Sequence, residues 1–281
     1  MVSFFAKRKT IESPVSVVFD VGGTKMRVAT VVGGKLHTVE IGETPKDSRK
    51  GMEKLIHMLL RAAQPGAVSA AGCIAGRVED SGEISGARNL RLWEGVNIVE
   101  VLNSTLQMPV TVFNDGELVG LAESRLGSGV GFSSVAYITV STGVGGALIK
   151  DGLIDFAASD IAVGRIPVGG SDLEGEVSGT AVTKKFNIKP KDLASREERD
   201  KLADMLAQGL TEVNRMWRPD VFVLGGSMIV GEKNTIPLLR VEKTIRENLP
   251  GSDTMPEIKK ALLGDLGGLY GALEYLKLQG K

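Results

Sequence analysis

Three short stretches of this chain combine glycines with oxygen-bearing side chains in a way that suits phosphate chemistry. Asp20-Val-Gly-Gly-Thr24 and Ser141-Thr-Gly-Val-Gly-Gly146 each lie where one apolar, β-branched run turns back into the next. Glycine lacks a Cβ, so consecutive N–H groups can close on phosphate oxygens. In the first turn Gly22, Gly23, Thr24 and Lys25 are the candidates, and in the second Thr142 and Gly143, with hydroxyl donors at Thr24, Ser141 and Thr142. Asp20 is placed to hold Mg2+ through water, because that ion seldom gives up its hydration shell. Either turn alone would also pass for an ordinary glycine-rich hairpin. The matching position in two halves, and a third stretch at Leu224-Gly-Gly-Ser227, make coincidence the poorer explanation.

A second chemical element is Asn114-Asp115, at the C-terminal end of an apolar run and directly before a helical pattern. Ligands of open α/β sheets sit at such strand ends. A fixed carboxylate there can take the proton of a hydroxyl acceptor during phosphoryl transfer. Asp115 could equally serve only to cap the helix that follows. His37 follows a turn and His57 falls within an amphipathic helix, so neither is a catalytic candidate. The single cysteine, Cys73, excludes an internal disulfide and a multi-cysteine metal site. Its apolar setting predicts a buried, inert thiol.

The elements that must position these groups are legible as pattern. Residues 1–14 read as an extension without periodicity. Val15–Val21, Lys25–Val32 and Lys35–Ile41 then read as three antiparallel strands joined by glycine turns. A helix over Ser48–Ala63 follows, with Met52, Leu55, Ile56, Leu59, Leu60 and Ala63 on one face. The strands Ala67–Cys73 and Pro109–Phe113 and a helix over Gly116–Leu126 complete a first unit. The order restarts with Ser134–Val140 and ends with helices near Glu198–Trp217, Pro237–Asn248 and Leu266–Leu278, after a polar insertion at Thr183–Arg199. One hairpin-rich α/β unit is therefore expected twice, with a boundary near residues 127–133. We expect an N-terminal lobe at 15–128 and a C-terminal nucleotide-binding lobe at 129–281.

Lysines and arginines equal aspartates and glutamates at 34 each, so no basic face or acidic tail points to nucleic acid or membrane. No apolar run has the length of a membrane span, and the order of charges at the N-terminus is wrong for a secretory signal, which leaves a cytoplasmic protein as the expectation.

Taken in order along the chain, these motifs resemble the ROK family of bacterial sugar kinases and sugar-responsive repressors, within the actin-like ATPase superfamily. The likeness runs from about Val15 onward. It rests on Asp20-Val-Gly-Gly-Thr24, Gly72-Cys-Ile-Ala-Gly-Arg77, Asn89-Leu90 with Trp93, Val112-Phe-Asn-Asp115 with Ala122-Glu123, Ser141 to Gly146, Leu173-Glu174 with Ser178-Gly179, and Leu224-Gly-Gly226. The resemblance implies an α/β fold of two RNase H-like lobes around a cleft, and ATP-dependent phosphorylation of a hexose or hexose derivative. It makes Asp115 the base, places Gly76, Asn89, Asn114 and Glu174 on the sugar, and packs Gly225 and Gly226 against adenosine. ATP, Mg2+ and a sugar are the implied ligands, and a two-fold homodimer the first expectation for assembly.

The sequence departs from the family at one place. The usual Glu-x-Gly-His segment is here Ala162-Val-Gly-Arg165, and the cysteine-rich zinc loop after it is replaced by Gly169-Gly-Ser-Asp-Leu173, so no zinc is expected. Arg165 either enters the sugar pocket, favouring an acceptor-rich or anionic substituent, or faces solvent or pairs with Asp160 or Asp172. Three other functions compete. A repressor would need a DNA-binding module, and about fourteen residues before the first strand are too few for one. A weakly catalytic sugar sensor is kept alive by the altered segment. Polyphosphate could replace ATP as donor, although no basic run supports it.

Overall fold

The computed structural model describes residues 15–63, 66–159, 161–249 and 254–280; the expected extension at 1–14 lies outside them. The first half runs β1 (Val15–Val21), β2 (Lys25–Val32), β3 (Lys35–Glu43), α1 (Ser48–Ala63) and β4 (Ala67–Ile74). A small hairpin of β5 (Arg77–Val78) and β6 (Ile84–Ser85) and a 3-10 helix at Arg88–Trp93 follow, then α2 (Ile98–Leu106), β7 (Val110–Asn114) and α3 (Asp115–Leu126). Its five long strands form one sheet in the order β3-β2-β1-β4-β7, antiparallel across the two hairpins and parallel from β1 to β7.

The second half repeats the plan. Its elements are β8 (Ser134–Val140), β9 (Val144–Lys150), β10 (Leu153–Ile154), α4 (Phe156–Ser159), β11 (Pro167–Val168), β12 (Ser171–Asp172), α5 (Leu173–Val177), α6 (Gly179–Phe186) and α7 (Arg196–Trp217). The chain then continues through β13 (Val221–Gly225), α8 (Ser227–Val230), α9 (Leu238–Asn248), β14 (Glu257–Lys260) and α10 (Gly267–Leu278). The sheet order β10-β9-β8-β13-β14 mirrors the first, with the same change from antiparallel to parallel pairing. The expected α/β architecture of two like units is thus observed.

Burial explains why the central strands read as continuous apolar runs. Val17, Phe19 and Val21 of β1 face α1 and α2, whereas Val18 faces the other way, toward α3 and α10. In β8, Ala136, Ile138 and Val140 face α7, and Val135 and Tyr137 face α3 and α10. A strand covered on both faces is apolar at nearly every position, with polar residues such as Ser16 and Asp20 of β1 the exceptions. The result is a stack of α1 and α2, the first sheet, α3 with α10, the second sheet, and α7 with α9. Among the described residues no helix is long and apolar enough to cross a membrane.

Two local readings change. In α1 the buried positions are Met52, Leu55, Met58 and Leu59, while Leu60 is half exposed. Position 60 lies past the edge of the stripe that 52, 55 and 59 define, and the flexible Met58 fills the inward place. The expected insertion at Thr183–Arg199 is largely helical: α6 starts upstream at Gly179 and a 3-10 turn covers Pro190–Asp192. The start signal is Ser178, whose hydroxyl accepts the Ala181 N–H at 3.1 Å, and Val182 buries the inner face.

The middle layer is closely fitted. A Cβ at Gly271 of α10 would fall on the Leu118 carbonyl oxygen of α3, a backbone atom that cannot swing aside. Gly271→Ala gains helix propensity of about 1 kcal/mol, and overpacking against backbone costs about 1–3 kcal/mol or more. We expect a net loss of stability, read as a lowered denaturation midpoint; a variant as stable as the wild type would refute the close fit.

Candidate active site

The first glycine turn joins β1 to β2, and the hairpin register sets its surroundings. Val21 pairs with Met26 and Asp20 with Arg27, so the acid and the guanidinium stand side by side on one face. Arg27 donates to Asp20 at 3.2 Å and to Asp265 at 2.9 Å. The turn itself is held from outside. Thr44 donates its hydroxyl to the Gly22 carbonyl at 2.8 Å, and Lys46 donates to the carbonyls of Gly23 at 2.6 Å and Asn89 at 2.9 Å. Thr24 accepts the Thr44 N–H at 2.8 Å, and Lys25 accepts the Gly22 N–H at 2.9 Å. Asn89 lies directly on Gly23: an added Cβ there would come 2.7 Å from the Asn89 Cβ. Asn89 is carried by the 3-10 helix at Arg88–Trp93, which the fully buried Trp93 anchors through an Nε1–H bond of 3.1 Å to the Pro45 carbonyl.

Asp115 begins α3 where β7 ends. The capping is done by its neighbour: Asn114 Oδ1 accepts the Gly116 N–H at 2.9 Å, and Glu117 accepts the Asn114 N–H at 3.1 Å. Asn114 Nδ2 also donates to the Gly76 carbonyl at 2.9 Å, tying the loop after β4 to the helix start. Asn114 is therefore the N-cap residue of α3, and the Asp115 carboxylate shares the Gly116 N–H with it at 2.9 Å and is also bonded by its own backbone N–H and the Asn114 side chain.

Parallel pairing brings the carboxylates together. Asp20 on β1 is the partner of Cys73 on β4, and Cys73 is the partner of Phe113 on β7. Burial and the nearby Asp20 charge push the Asp115 carboxyl up to about 7. Burial also raises Asp20, with Arg27 opposing it. The Cys73 thiol is fully buried, lies 3.6 Å from Asp20, and is raised well above the ordinary thiol range by burial and by Asp20. That matches the inert thiol expected from its apolar setting.

The second glycine turn meets this cluster from the other half. A Cβ at Gly116 would lie 3.5 Å from the Gly146 nitrogen, so the start of α3 and the β8–β9 turn adjoin. The carbonyl of Ser141 accepts the Gly179 N–H at 2.7 Å, and that of Thr142 accepts the Thr180 hydroxyl at 2.7 Å. Gly143 leaves room for Glu174, whose Oε2 would be 2.6 Å from an added Cβ and which accepts the Val144 N–H at 2.9 Å. Glu174 also pairs with Arg88, joining the two halves across the cleft. Gly226, at φ 85°, has no room for a side chain because the Val140 carbonyl would meet it, and Gly225 abuts Tyr137. All three glycine motifs therefore converge at the ends of β1, β8 and β13.

Arg165 stands apart from this convergence. Its side chain is mostly exposed and donates to Asp172 at 2.9 Å, one of the partners weighed for it; Asp160 lies outside the described residues. The motif reading missed Thr44, Lys46, Arg27, Asp265 and Arg88. Of these, Arg27 had a signal, since hairpin register alone sets it across from Asp20. The others reach the site from separate elements, with no spacing rule to announce them.

The chemistry of the donors suits Mg2+. No group of three or more His, Cys, Asp or Glu among the described residues could hold a metal by itself. One or two hard carboxylates with the remaining positions left to water and phosphate is how this ion is commonly bound.

Comparison with known proteins agrees with this geometry. The ROK family model matches residues 16–156, about half of the chain. An uncharacterized protein of Clostridium perfringens is 31% identical over 201 residues, covering 64% of this chain and 68% of that protein. A polyphosphate glucokinase of Mycobacterium tuberculosis is 29% identical over 150 residues, 52% of this chain and 51% of that enzyme, so the chain matches only about half of that relative's length. The crystal structure of a ROK hexokinase from Thermus thermophilus superposes with a TM-score of 0.78 at 25% identity, covering 95% of this chain and 100% of that one. By family model, by sequence and by fold together, this chain belongs to the ROK family.

Proposed function

We propose that this protein is an ATP-dependent sugar kinase that phosphorylates a hydroxyl of a hexose or hexose derivative. The observation that carries this reading is the placement of Asp115, a partly buried carboxyl at the start of α3, where the first sheet meets the glycine-rich segments of both halves. Support for a sugar acceptor also comes from the relatives, which include a polyphosphate glucokinase and a hexokinase by name.

In this reading the turns at Gly22, Gly23, Thr24 and Lys25 and at Thr142 and Gly143 receive the donor phosphates, and Gly225 and Gly226 receive the adenosine. Asn89, Asn114, the Gly76 backbone and Glu174 line the acceptor side. Asp115 accepts the proton of the acceptor hydroxyl as that oxygen bonds to the γ-phosphorus and the bond to the ADP oxygen breaks. Asp20 would hold Mg2+, which when bound offsets the charge gathering on the phosphate oxygens. Closure of the halves around the sugar excludes water and so limits hydrolysis.

A second reading, a sugar sensor with little turnover, draws on one observation: Arg88 already engages Glu174, so the acceptor side is partly satisfied without ligand. ADP release from Mg-ATP across neutral, N-acetylated and acidic sugars separates the two. We expect release with one sugar class and a loss of about 10²–10⁴-fold in kcat for Asp115→Ala. Tight sugar binding without release would favour the sensor.

The position of Asp115 at about 7 also sets a pH dependence. The ionised form is the base, so kcat/KM should climb as pH rises toward 7 and level off above it. Folding has the opposite sign, because the folded state holds a proton on Asp115 that the unfolded chain releases near pH 4. Stability from this group is complete below that value and is lost as pH rises through 7. Asp115→Asn should therefore match the wild type near pH 4 and exceed it at pH 8, by on the order of 2–4 kcal/mol. Equal stability at both pH values would show that Asp115 is not buried in this way.

A further inference from the structure

Arg27 is the buried cation of the cleft. Its side chain is 11% exposed, its two terminal nitrogens reach Asp20 and Asp265, and its buried Nε has no hydrogen-bond partner. The two acids differ sharply. Asp20 is 13% exposed and held at 3.2 Å, with only the Cys73 thiol on its other oxygen. Asp265 is 85% exposed, sits in the 3-10 turn Gly264–Leu266, and holds Arg27 at the shorter 2.9 Å.

That turn is not a loose tether. Glu123, itself buried in α3, accepts the N–H groups of Leu262 and Leu263 at 2.8 Å each, which fixes the chain just ahead of Asp265. Immediately after it, α10 starts against Asp20: a Cβ at Gly268 would lie 2.9 Å from the Asp20 Cγ. The partial positive charge of that helix start favours an anionic Asp20 even when its guanidinium partner withdraws.

A dication and a guanidinium cannot both sit on Asp20 without repelling one another. We propose that Arg27 is a positioning residue that competes with the bound divalent cation for the Asp20 carboxylate, and that Asp265 draws Arg27 aside. This rests on Asp20 being the metal-binding carboxylate. Asp265 then strengthens metal binding through its hold on Arg27 rather than as a ligand of the metal.

The test is Mn2+ binding followed by electron paramagnetic resonance, with the non-hydrolysable analogue AMPPNP present, alongside the Mg2+ dependence of turnover. Asp265→Asn should weaken Mn2+ binding by about two- to fivefold, the scale of an exposed ion pair. It should raise the Mg2+ concentration for half-maximal rate by a similar factor and leave kcat at saturating Mg2+ unchanged, and Asp265→Glu should restore wild-type affinity. Arg27→Met, if it folds, should bind Mn2+ more tightly than the wild type. Unchanged Mn2+ affinity in Asp265→Asn would overturn the competition while leaving the kinase reading intact. Unchanged affinity in Asp20→Asn would overturn both the competition and the placement of the metal.

Discussion

Asp20 near the end of β1 and Asp115 just past the end of β7 lie on either side of β4 in one sheet, and both are largely withdrawn from water. Two buried carboxylates are costly unless one is protonated or a cation lies beside them. Much of the surrounding structure answers that constraint. Arg27 is placed by hairpin register next to Asp20, backbone N–H groups and the Asn114 side chain bond the Asp115 carboxylate, and α10 returns from the second half to set its start against Asp20. The same constraint, burial beside the Asp20 charge, pushes the Asp115 carboxyl up to about 7.

The fold makes this possible by duplication with a shared middle layer. Each unit has a hairpin, a glycine turn and parallel strands that end on the same side, so stacking the two sheets about α3 and α10 points both sets of strand ends at one cleft. Among the described residues, contacts across the cleft include the polar pairs Arg88 with Glu174 and Arg27 with Asp265, and the backbone approach of Gly116 to Gly146. Polar contacts of this sort exchange readily with ligand groups and water, unlike the packed apolar layers behind them. Binding therefore has a place to act without disturbing either core.

The departure at Ala162 to Arg165 acquires a physical shape as well. The short hairpin of β11 and β12 is formed around the Gly169-Gly-Ser-Asp-Leu173 stretch that replaces the family's usual cysteine-rich loop, and its Asp172 both caps α5 by accepting the Gly175 N–H at 2.7 Å and holds Arg165. Arg165 thus pairs with the hairpin, while Arg88 from the opposite half pairs with Glu174.

The sequence by itself determined the elements and the motifs. Val15–Val21 and Ser134–Val140 were readable as buried strands because burial on both faces favours mostly apolar, β-branched runs, and the glycine turns because a tight approach tolerates no Cβ. Asp20 opposite Arg27 was implicit in hairpin spacing. Only the tertiary structure decided that Asn114 rather than Asp115 caps α3, that Asp265 reaches Arg27 across 238 residues, and that Arg88 meets Glu174. Periodicity encodes which face of an element is buried, but it carries no record of which distant side chain arrives at that face. Such pairings are set by how whole layers stack, and so they appear only once the chain is folded.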